Sequence, residues 1–154
     1  MPKVSIIIPC YNEQRTIRLL LDALRNQTFP YADAEVIISD GMSTDSTRAE
    51  IALFQNDYPD LTVRVVDNAL RSIPSAVNRA LEVSRGEMIV RLDAHSKPHP
   101  DYVERCVKLL EAGAGDNVEP PLLELSISPS LSPCWPGCRL KQQGPCQEYF
   151  LLLK

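Results

Sequence analysis

The sequence predicts an α/β fold in which a covered parallel β-sheet alternates with helices. Four short runs rich in valine and isoleucine are separated by segments whose apolar residues recur at helical spacing. Each separating segment is long enough to hold a helix, and a right-handed helical crossover is the usual connection between parallel strands. Such sheets bind ligands at the carboxyl ends of their strands. The residues that follow each run are therefore the first candidates for a functional site.

The first element is a strand at residues 3–8, and Pro9 is predicted to end it. Its nearly continuous apolar character is typical of a central strand that is covered on both faces. Asn12 is predicted to cap the helix that follows, and Glu13 to lie in its first turn, near the positive end of the helix dipole. The apolar stripe of this helix consists of Ile17, Leu20, Leu21 and Leu24.

The second unit combines a strand at residues 35–39 with a helix at residues 45–57. Asp40 stands directly at the carboxyl end of this strand, where a carboxylate is well placed to bind a ligand. The alternative is that the polar loop after the strand serves only to cap the helix. That interpretation fits Asp45 better than Asp40.

Two further strands complete the predicted sheet. They lie at residues 61–66 and 87–92, and a helical pattern with Pro74 in its first turn separates them. A last helix at residues 101–112 is predicted to stop at Gly113.

The end of the fourth predicted strand carries a candidate metal site. Asp93 and His95 are separated there by a single alanine, so the two side chains can converge on one cation. A carboxylate oxygen with an imidazole nitrogen suits Mn²⁺ or Mg²⁺, and the remaining coordination positions would be left to a diphosphate. The sequence contains no glycine-rich dinucleotide motif and no P-loop, so a diphosphate bound here would need such a cation.

Composition narrows the class of protein. The 154 residues suffice for one domain, and a net charge of −4 argues against nucleic acid as the main partner. The amino terminus resembles neither a signal peptide nor a membrane-spanning helix, so a cytoplasmic location is expected. Cys10 and Cys106 lie in apolar patterns and are predicted to be buried free thiols.

The character of the chain changes at Glu119. Six of the thirteen prolines and three of the five cysteines lie in residues 119–154, and no sustained helical or alternating period is found there. We therefore predict two parts, a globular part at residues 1–118 and a Pro/Ser/Cys-rich tail at residues 119–154 that is a linker or disordered.

Three motifs in the first part resemble those of the family 2 inverting glycosyltransferases, which have the GT-A fold. They are residues 5–13 (SIIIPCYNE), 39–47 (SDGMSTDST) and 86–95 (GEMIVRLDAH). The second and third motifs resemble most closely the bacterial succinoglycan or exopolysaccharide type of glucosyltransferase. Most members of the family carry Asp-x-Asp where this chain carries Asp93 and His95. A histidine there can still ligate a divalent ion but lacks the second negative charge.

The resemblance implies a UDP-sugar donor, a glycan or lipid-linked acceptor, and Mn²⁺ or Mg²⁺ as cofactor. Pro9, Tyr11 and Glu13 would line the nucleoside pocket, and Asp40 would accept from the uracil or ribose. Arg71 would approach the base or diphosphate, Asp93 would contact the ribose or the metal, and His95 would ligate the metal. The implied nucleotide-sugar-binding residues are Pro9, Tyr11, Glu13, Asp40, Arg71 and Asp93. For Arg71, a solvated charge at a helix start is the open alternative.

The same resemblance indicates a gap. In this family the catalytic base and the acceptor-binding elements follow the region that ends here near Val118, and no Glu-Asp pair follows Asn117. We therefore expect a chain truncated after its donor-binding half, whose catalytic base is unassigned. The alternative function is a UDP- and metal-binding fragment that does not transfer sugar. Unpaired sheet edges would favour a homo-oligomer, and the chain is expected in the cytoplasm or peripherally at the inner face of the cell membrane.

Overall fold

The computed structural model describes residues 1–113 and the backbone of residues 151–153. Within these residues, nine helices and strands and one short 3₁₀ helix at Tyr31–Asp33 follow each other. The strands are β1 (Val4–Cys10), β2 (Ala34–Asp40), β3 (Thr62–Asp67), β4 (Met88–Arg91) and β5 (Leu151–Leu153). The helices are α1 (Ile17–Arg25), α2 (Thr47–Asp57), α3 (Ile73–Val83) and α4 (Tyr102–Glu111).

The strands form one sheet in the order β3-β2-β1-β4-β5. The first four strands are parallel, and β5 pairs with β4 in the antiparallel sense. The prediction of a parallel α/β sheet is therefore confirmed. β1 lies in the middle of the sheet because the chain first builds outward through β2 and β3 and then returns to place β4 on the other side of β1.

Helices cover both faces of the sheet. Ile6 and Ile8 of β1 pack into a core that includes buried residues of α1, α2 and α4. Ile7, which points to the opposite face, packs with Ala80 of α3 in a smaller cluster. Alternate residues of one strand thus serve two cores, which is why the first predicted strand reads as almost continuously apolar.

Two local predictions about the first loop are wrong. Pro9 does not end the strand, because β1 stays in register with β2 through Cys10. Pairing with β4 stops at Ile7, so Pro9 lies beyond that ladder. Asn12 does not cap α1, whose N-cap is Thr16. The Asn12 side-chain oxygen instead accepts from the backbone N–H of Thr44 at 2.8 Å. Asn12 thus joins the loop after β1 to the loop after β2.

A buried polar network lies on the α3 side of the sheet, near the amino ends of the strands. The Ser5 hydroxyl donates to Glu35 Oε1 at 2.6 Å, and the backbone N–H of Arg85 donates to the same oxygen at 2.6 Å. The Ser5 hydroxyl also accepts from the backbone N–H of Gly86 at 2.8 Å. Arg64 lies 3.5 Å from the other oxygen of Glu35. The network fastens the chain that enters β4 to the central strand.

Several smaller predictions are confirmed. Cys10 and Cys106 are free and buried, and burial raises the pKa of the Cys10 thiol well above its ordinary value. Gly113 follows α4 with a φ of 68°, the left-handed conformation expected of a helix stop. Within the described residues, none of the helices is both long and apolar enough to span a lipid bilayer.

The predicted tail lies outside the described residues, apart from the strand Leu151–Leu153. The division of the chain after residue 118 therefore stays a prediction.

Candidate functional site

The reversal of strand order creates a crevice at the carboxyl ends of β1 and β4. The connection from β1 runs toward β2, whereas β4 lies on the opposite side of β1. The two loops that leave these strand ends therefore diverge, and open α/β sheets bind ligands at such a point. Glu13 follows β1 and His95 follows β4, so this topology brings two of the predicted site residues to one crevice.

Glu13 and His95 face each other across the crevice. Glu13 Oε1 lies 3.5 Å from His95 Nδ1, and Thr16 Oγ1 donates to Glu13 Oε2 at 2.6 Å. Glu13 is 8% exposed, whereas the His95 side chain is 48% exposed. The carboxylate is thus held from its own loop and directed at the imidazole. A role for Glu13 in lining the nucleoside pocket stays a prediction.

The donor atoms of Asp93 and His95 fit a hard or borderline divalent cation. Turning His95 Nδ1–H toward Glu13 leaves the Nε2 lone pair for a metal, the arrangement found where a carboxylate orients a metal-ligating histidine. Arg91 donates to Asp93 Oδ1 at 3.2 Å, which leaves the second carboxylate oxygen as a ligand. No group of three or more His, Cys, Asp or Glu side chains in the described part of the chain could hold a metal by itself. A cation at these two residues would therefore need oxygen atoms from a ligand.

The Glu13 contact predicts a pH-dependent site. Its hydrogen bond and charge raise the pKa of His95 above the ordinary value of 6.5. A protonated imidazole has no lone pair for a metal, so Mn²⁺ affinity should fall as the pH drops through this raised pKa. Replacing Glu13 with glutamine should lower the pKa of His95 and move the midpoint of Mn²⁺ binding to lower pH. A metal-free NMR titration of the two histidine rings measures the first midpoint, and calorimetric titration of Mn²⁺ over a series of pH values measures the second.

The stability effect of this pair has the opposite sign. A raised pKa in the folded state means that the ion pair stabilises the protein below the unfolded pKa of His95, and this contribution is lost as the pH rises through the folded pKa. Glu13→Gln should thus lower stability only on the acid side. His99 provides the internal control, because its partner is Asp101. An unchanged His95 midpoint in the variant would contradict the pairing.

Asp40 is completely buried at the end of β2. The backbone N–H of Ser43 donates to its Oδ2 at 3.0 Å, and the Ser43 hydroxyl donates to Oδ1. Arg48 Nε, from the first turn of α2, donates to Oδ2 at 2.6 Å. A uracil or ribose could reach this carboxylate only after one of these donors had moved. Asp45 Oδ1 accepts from the backbone N–H of Thr47 at 3.0 Å, and its Oδ2 accepts from the backbone N–H of Gln14 at 3.3 Å. Asp45 therefore joins the start of α2, whose N-cap is Ser46, to the loop after β1.

Arg48 and Asp67 belong to this part of the site, and the sequence analysis assigned no role to either. Arg48 Nη2 donates to Asp67 Oδ1 at the end of β3, so one guanidinium joins two strand ends. The hydrogen bonds that Arg48 donates to Asp67 and Asp40 raise its pKa above the ordinary value. The position of Asp67 at the carboxyl end of β3 could have identified it as a site residue from the sequence. Arg48 lies in the first turn of α2, and nothing in the sequence around it indicates a role at the site.

Tyr11 and Arg71 are brought together from the first and third loops. The guanidinium carbon of Arg71 lies 5.7 Å from the centre of the Tyr11 ring. Asn68 lies in the same loop as Arg71 and is almost fully buried. Its side-chain oxygen has no hydrogen-bond partner within the described residues. Arg71 thus meets an aromatic ring, and the loop that carries it also contains a buried side-chain oxygen without a hydrogen-bond donor among the described residues.

Backbone strain is concentrated at this edge of the sheet. Within the described residues, the non-glycine residues with positive φ are Asn12 at 54°, Met42 at 60° and Arg71 at 50°. Each lies in the loop that follows one of the strands β1, β2 and β3. Asparagine adopts this conformation readily, whereas for Met42 and Arg71 it costs about 1–3 kcal/mol each. The loops after β2 and β3 therefore each contain one strained residue.

The predicted site residues thus fall into separate groups. Glu13 joins His95, Tyr11 joins Arg71, and Asp93 pairs with Arg91. Asp40 is enclosed by Ser43 and Arg48. Pro9 lies within β1 and is buried in the sheet.

Comparison with known proteins gives one family. The model of Glycosyl transferase family 2 matches residues 5–120. Succinoglycan biosynthesis protein ExoA of Rhizobium meliloti is 39% identical over 115 residues, which are 73% of this chain and 34% of that protein.

Solved structures show the same fold. Mannosyltransferase PcManGT from Pyrobaculum calidifontis, in complex with GDP-Man and Mn²⁺, has a TM-score of 0.68 at 34% identity, over 71% of this chain and 32% of that one. S. aureus TarS in complex with UDP has a TM-score of 0.67 at 26% identity, over 75% of this chain and 34% of that one. The chain therefore spans about a third of the length of these relatives.

Proposed function

Because this chain belongs to glycosyl transferase family 2, we propose that its crevice binds a UDP-sugar and a divalent cation. We further propose that the chain transfers a hexose, with glucose the expected sugar, to a glycan or lipid-linked acceptor in exopolysaccharide or cell-envelope biosynthesis. The observation that carries the proposal is the meeting of the loops after β1 and β4, where Glu13 faces His95 at 3.5 Å. This is the place where an open α/β sheet of this topology binds its ligand.

The proposed nucleoside pocket lies toward β2 and β3. Pro9, in the buried end of β1, would form its floor, and the Tyr11 ring with the Arg71 guanidinium would border the base. We add Asn68, whose buried side-chain oxygen lacks a donor within the described residues and would accept from a base N–H. Asp40 remains proposed as an acceptor for uracil or ribose. The bonds from Ser43 and Arg48 mean that such a contact requires a local rearrangement.

The proposed cation site consists of Asp93 and His95, with Glu13 orienting the imidazole. Mn²⁺ or Mg²⁺ held there would act as a Lewis acid that neutralises the charge of the departing diphosphate. The complexes of PcManGT with GDP-Man and Mn²⁺ and of TarS with UDP support a nucleotide site of this kind. Arg91 would keep Asp93 in place through its bond to Oδ1, and the buried Glu13 would keep His95 Nε2 directed away from the protein.

Several features of the whole enzyme are proposals only. The acceptor is carried over from the family resemblance, because the chain covers about a third of each relative. A homo-oligomeric state is proposed from the unpaired sheet edges, and the proposed location is the cytoplasm or the inner face of the cell membrane. The catalytic base is unassigned.

The proposal can be tested by calorimetric titration of UDP, with GDP as the competing nucleotide, in the presence and absence of Mn²⁺. We expect UDP to bind in a Mn²⁺-dependent manner. Asp93→Ala should weaken this binding by about 10- to 100-fold. Asp60→Ala is the matched control. Asp60 is also paired with an arginine, but it lies before β3, at the opposite edge of the sheet, so UDP binding should be unchanged.

Two outcomes of this titration would change the proposal, and a turnover assay on the same preparation would follow it. Preference for GDP would retain the nucleotide site but change the proposed donor. Absence of binding by either nucleotide would contradict the proposal. Release of UDP from UDP-glucose, measured on the same preparation with a glycan acceptor, would then distinguish sugar transfer from nucleotide binding alone.

A further inference from the structure

We propose that Arg48 is a positioning residue of the nucleotide site, which ties the ends of β2 and β3 together and thereby holds the loop that carries Arg71. This inference rests on the proposed function, because it assigns the loop to a nucleotide pocket. It goes beyond that proposal by naming a residue that lies outside the pocket and acts through its two carboxylate partners.

The first step is the geometry of the guanidinium. Nε of Arg48 donates to Asp40 Oδ2 at 2.6 Å, and Nη2 donates to Asp67 Oδ1. These two nitrogens belong to one rigid plane, so both carboxylates are held in a fixed relation to each other. Asp40 is fully buried and Asp67 is 62% exposed. The arginine therefore spans from the interior of the sheet to its surface.

The second step is electrostatic. Asp40 and Asp67 are register partners on adjacent parallel strands, so their side chains leave the sheet on the same face. Like charges placed opposite each other on neighbouring strands destabilise a sheet. Arg48 lies between them and reverses this effect, because one positive charge is shared by two negative ones. A lysine has a single ammonium and could not reproduce both directed bonds.

The third step connects this tie to the ligand loop. The backbone N–H of Asn68 donates to the carbonyl of Asp40 at 2.8 Å, and the N–H of Arg71 donates to the carbonyl of Asn68 at 3.1 Å. Arg71 has a φ of 50°, and its guanidinium lies over the Tyr11 ring. Strained backbone persists only where the surroundings determine it. The joined ends of β2 and β3 are the support on which this loop begins.

The experiment uses Arg48→Gln and Arg48→Lys in the full chain. The first readout is hydrogen exchange of the free protein, followed in peptides that cover residues 67–73. The second readout is the affinity for UDP in the presence of Mn²⁺. We expect faster exchange confined to these peptides and about 10-fold weaker UDP binding in both variants. The lysine variant should recover less than half of the lost exchange protection.

Arg18→Gln is the matched control. Arg18 also joins two carboxylates, Asp22 at 3.2 Å and Asp57 at 2.9 Å, but it does so between α1 and α2. It should leave both the exchange of residues 67–73 and the affinity for UDP unchanged.

Faster exchange throughout β1 and β4 in the Arg48 variants would show a general structural role and overturn the inference. Unchanged exchange at residues 67–73 would overturn it as well. If the wild-type protein bound no nucleotide, the proposed function would fail, whereas the exchange readout would still decide whether Arg48 holds the loop. If the wild type bound UDP and both Arg48 variants bound it equally well, the proposed function would stand and the role of Arg48 would be rejected.

Discussion

Gly86→Ala should lower the free energy of unfolding by about 3 kcal/mol, at the upper end of the range for overpacked sites. A Cβ atom on Gly86 would lie 2.5 Å from the backbone nitrogen of Ser5 and 2.7 Å from the carbonyl carbon of Val4. Both atoms belong to the backbone of β1, the central strand, and cannot shift without disturbing its hydrogen bonds to β2 and β4. Denaturant unfolding of the variant and the wild type measures the difference.

Gly113→Ala is the control for this substitution. No atom lies within 4 Å of a Cβ placed there, but the φ of 68° is unfavourable for alanine, so we expect a loss of about 1 kcal/mol. Elsewhere, replacing glycine with alanine tends to stabilise a protein through its unfolded state. Equal losses at the two positions would show that the close approach of Gly86 to β1 does not limit stability.

Glu35→Ala should cost about 3 kcal/mol or more. The substitution removes the acceptor of the Ser5 hydroxyl and of the Arg85 N–H, and it leaves Arg64 without its partner carboxylate. Loss of one member of a buried, hydrogen-bonded charge pair costs about 3–5 kcal/mol. Because Arg64 is partly exposed and can be solvated, the lower end of this range is expected. Thermal and denaturant unfolding both measure the loss.

Glu35→Gln distinguishes the two causes of this loss. Glutamine keeps an oxygen that can accept from Ser5 and Arg85 but removes the charge that faces Arg64. We expect it to cost about 1 kcal/mol, near the value of a single hydrogen bond. If the glutamine and alanine variants were equally unstable, the ion pair with Arg64 would carry the stabilisation and the two hydrogen bonds would contribute little.

Much of the fold follows from local patterns in the chain. The residues of the predicted apolar stripe of the first helix, from Ile17 to Leu24, are all buried in α1. Gly113 ends α4 as its position after the last apolar residue indicates. Such features depend on helical or strand periodicity and on the conformational freedom of single residues, which neighbouring residues in the sequence determine. Asn12 shows the limit of this reasoning, because a side chain suited to a helix cap instead bonds a loop far away in the sequence.

The candidate site was predicted in part. Asp93 and His95 follow β4 at the expected edge, and Tyr11 meets Arg71 there. The partners of Glu13 and Asp40 were not predicted, since each carboxylate is bound by a residue of another loop or helix. A carboxylate at a strand end indicates a site, but whether it faces a ligand or a neighbouring cation depends on what the tertiary structure places beside it.

Residue patterns along the chain were enough to predict the α/β class, the approximate positions of the strands and helices, and the edge of the sheet at which polar residues gather. The position of β4 beside β1, which places His95 opposite Glu13, was not visible in those patterns. The tertiary structure decided this position and the register that sets Ser5 opposite Glu35 and Asp40 opposite Asp67. The physical reason is that periodicity is a property of adjacent residues, whereas strand order and register are chosen by the packing of whole elements across the sheet.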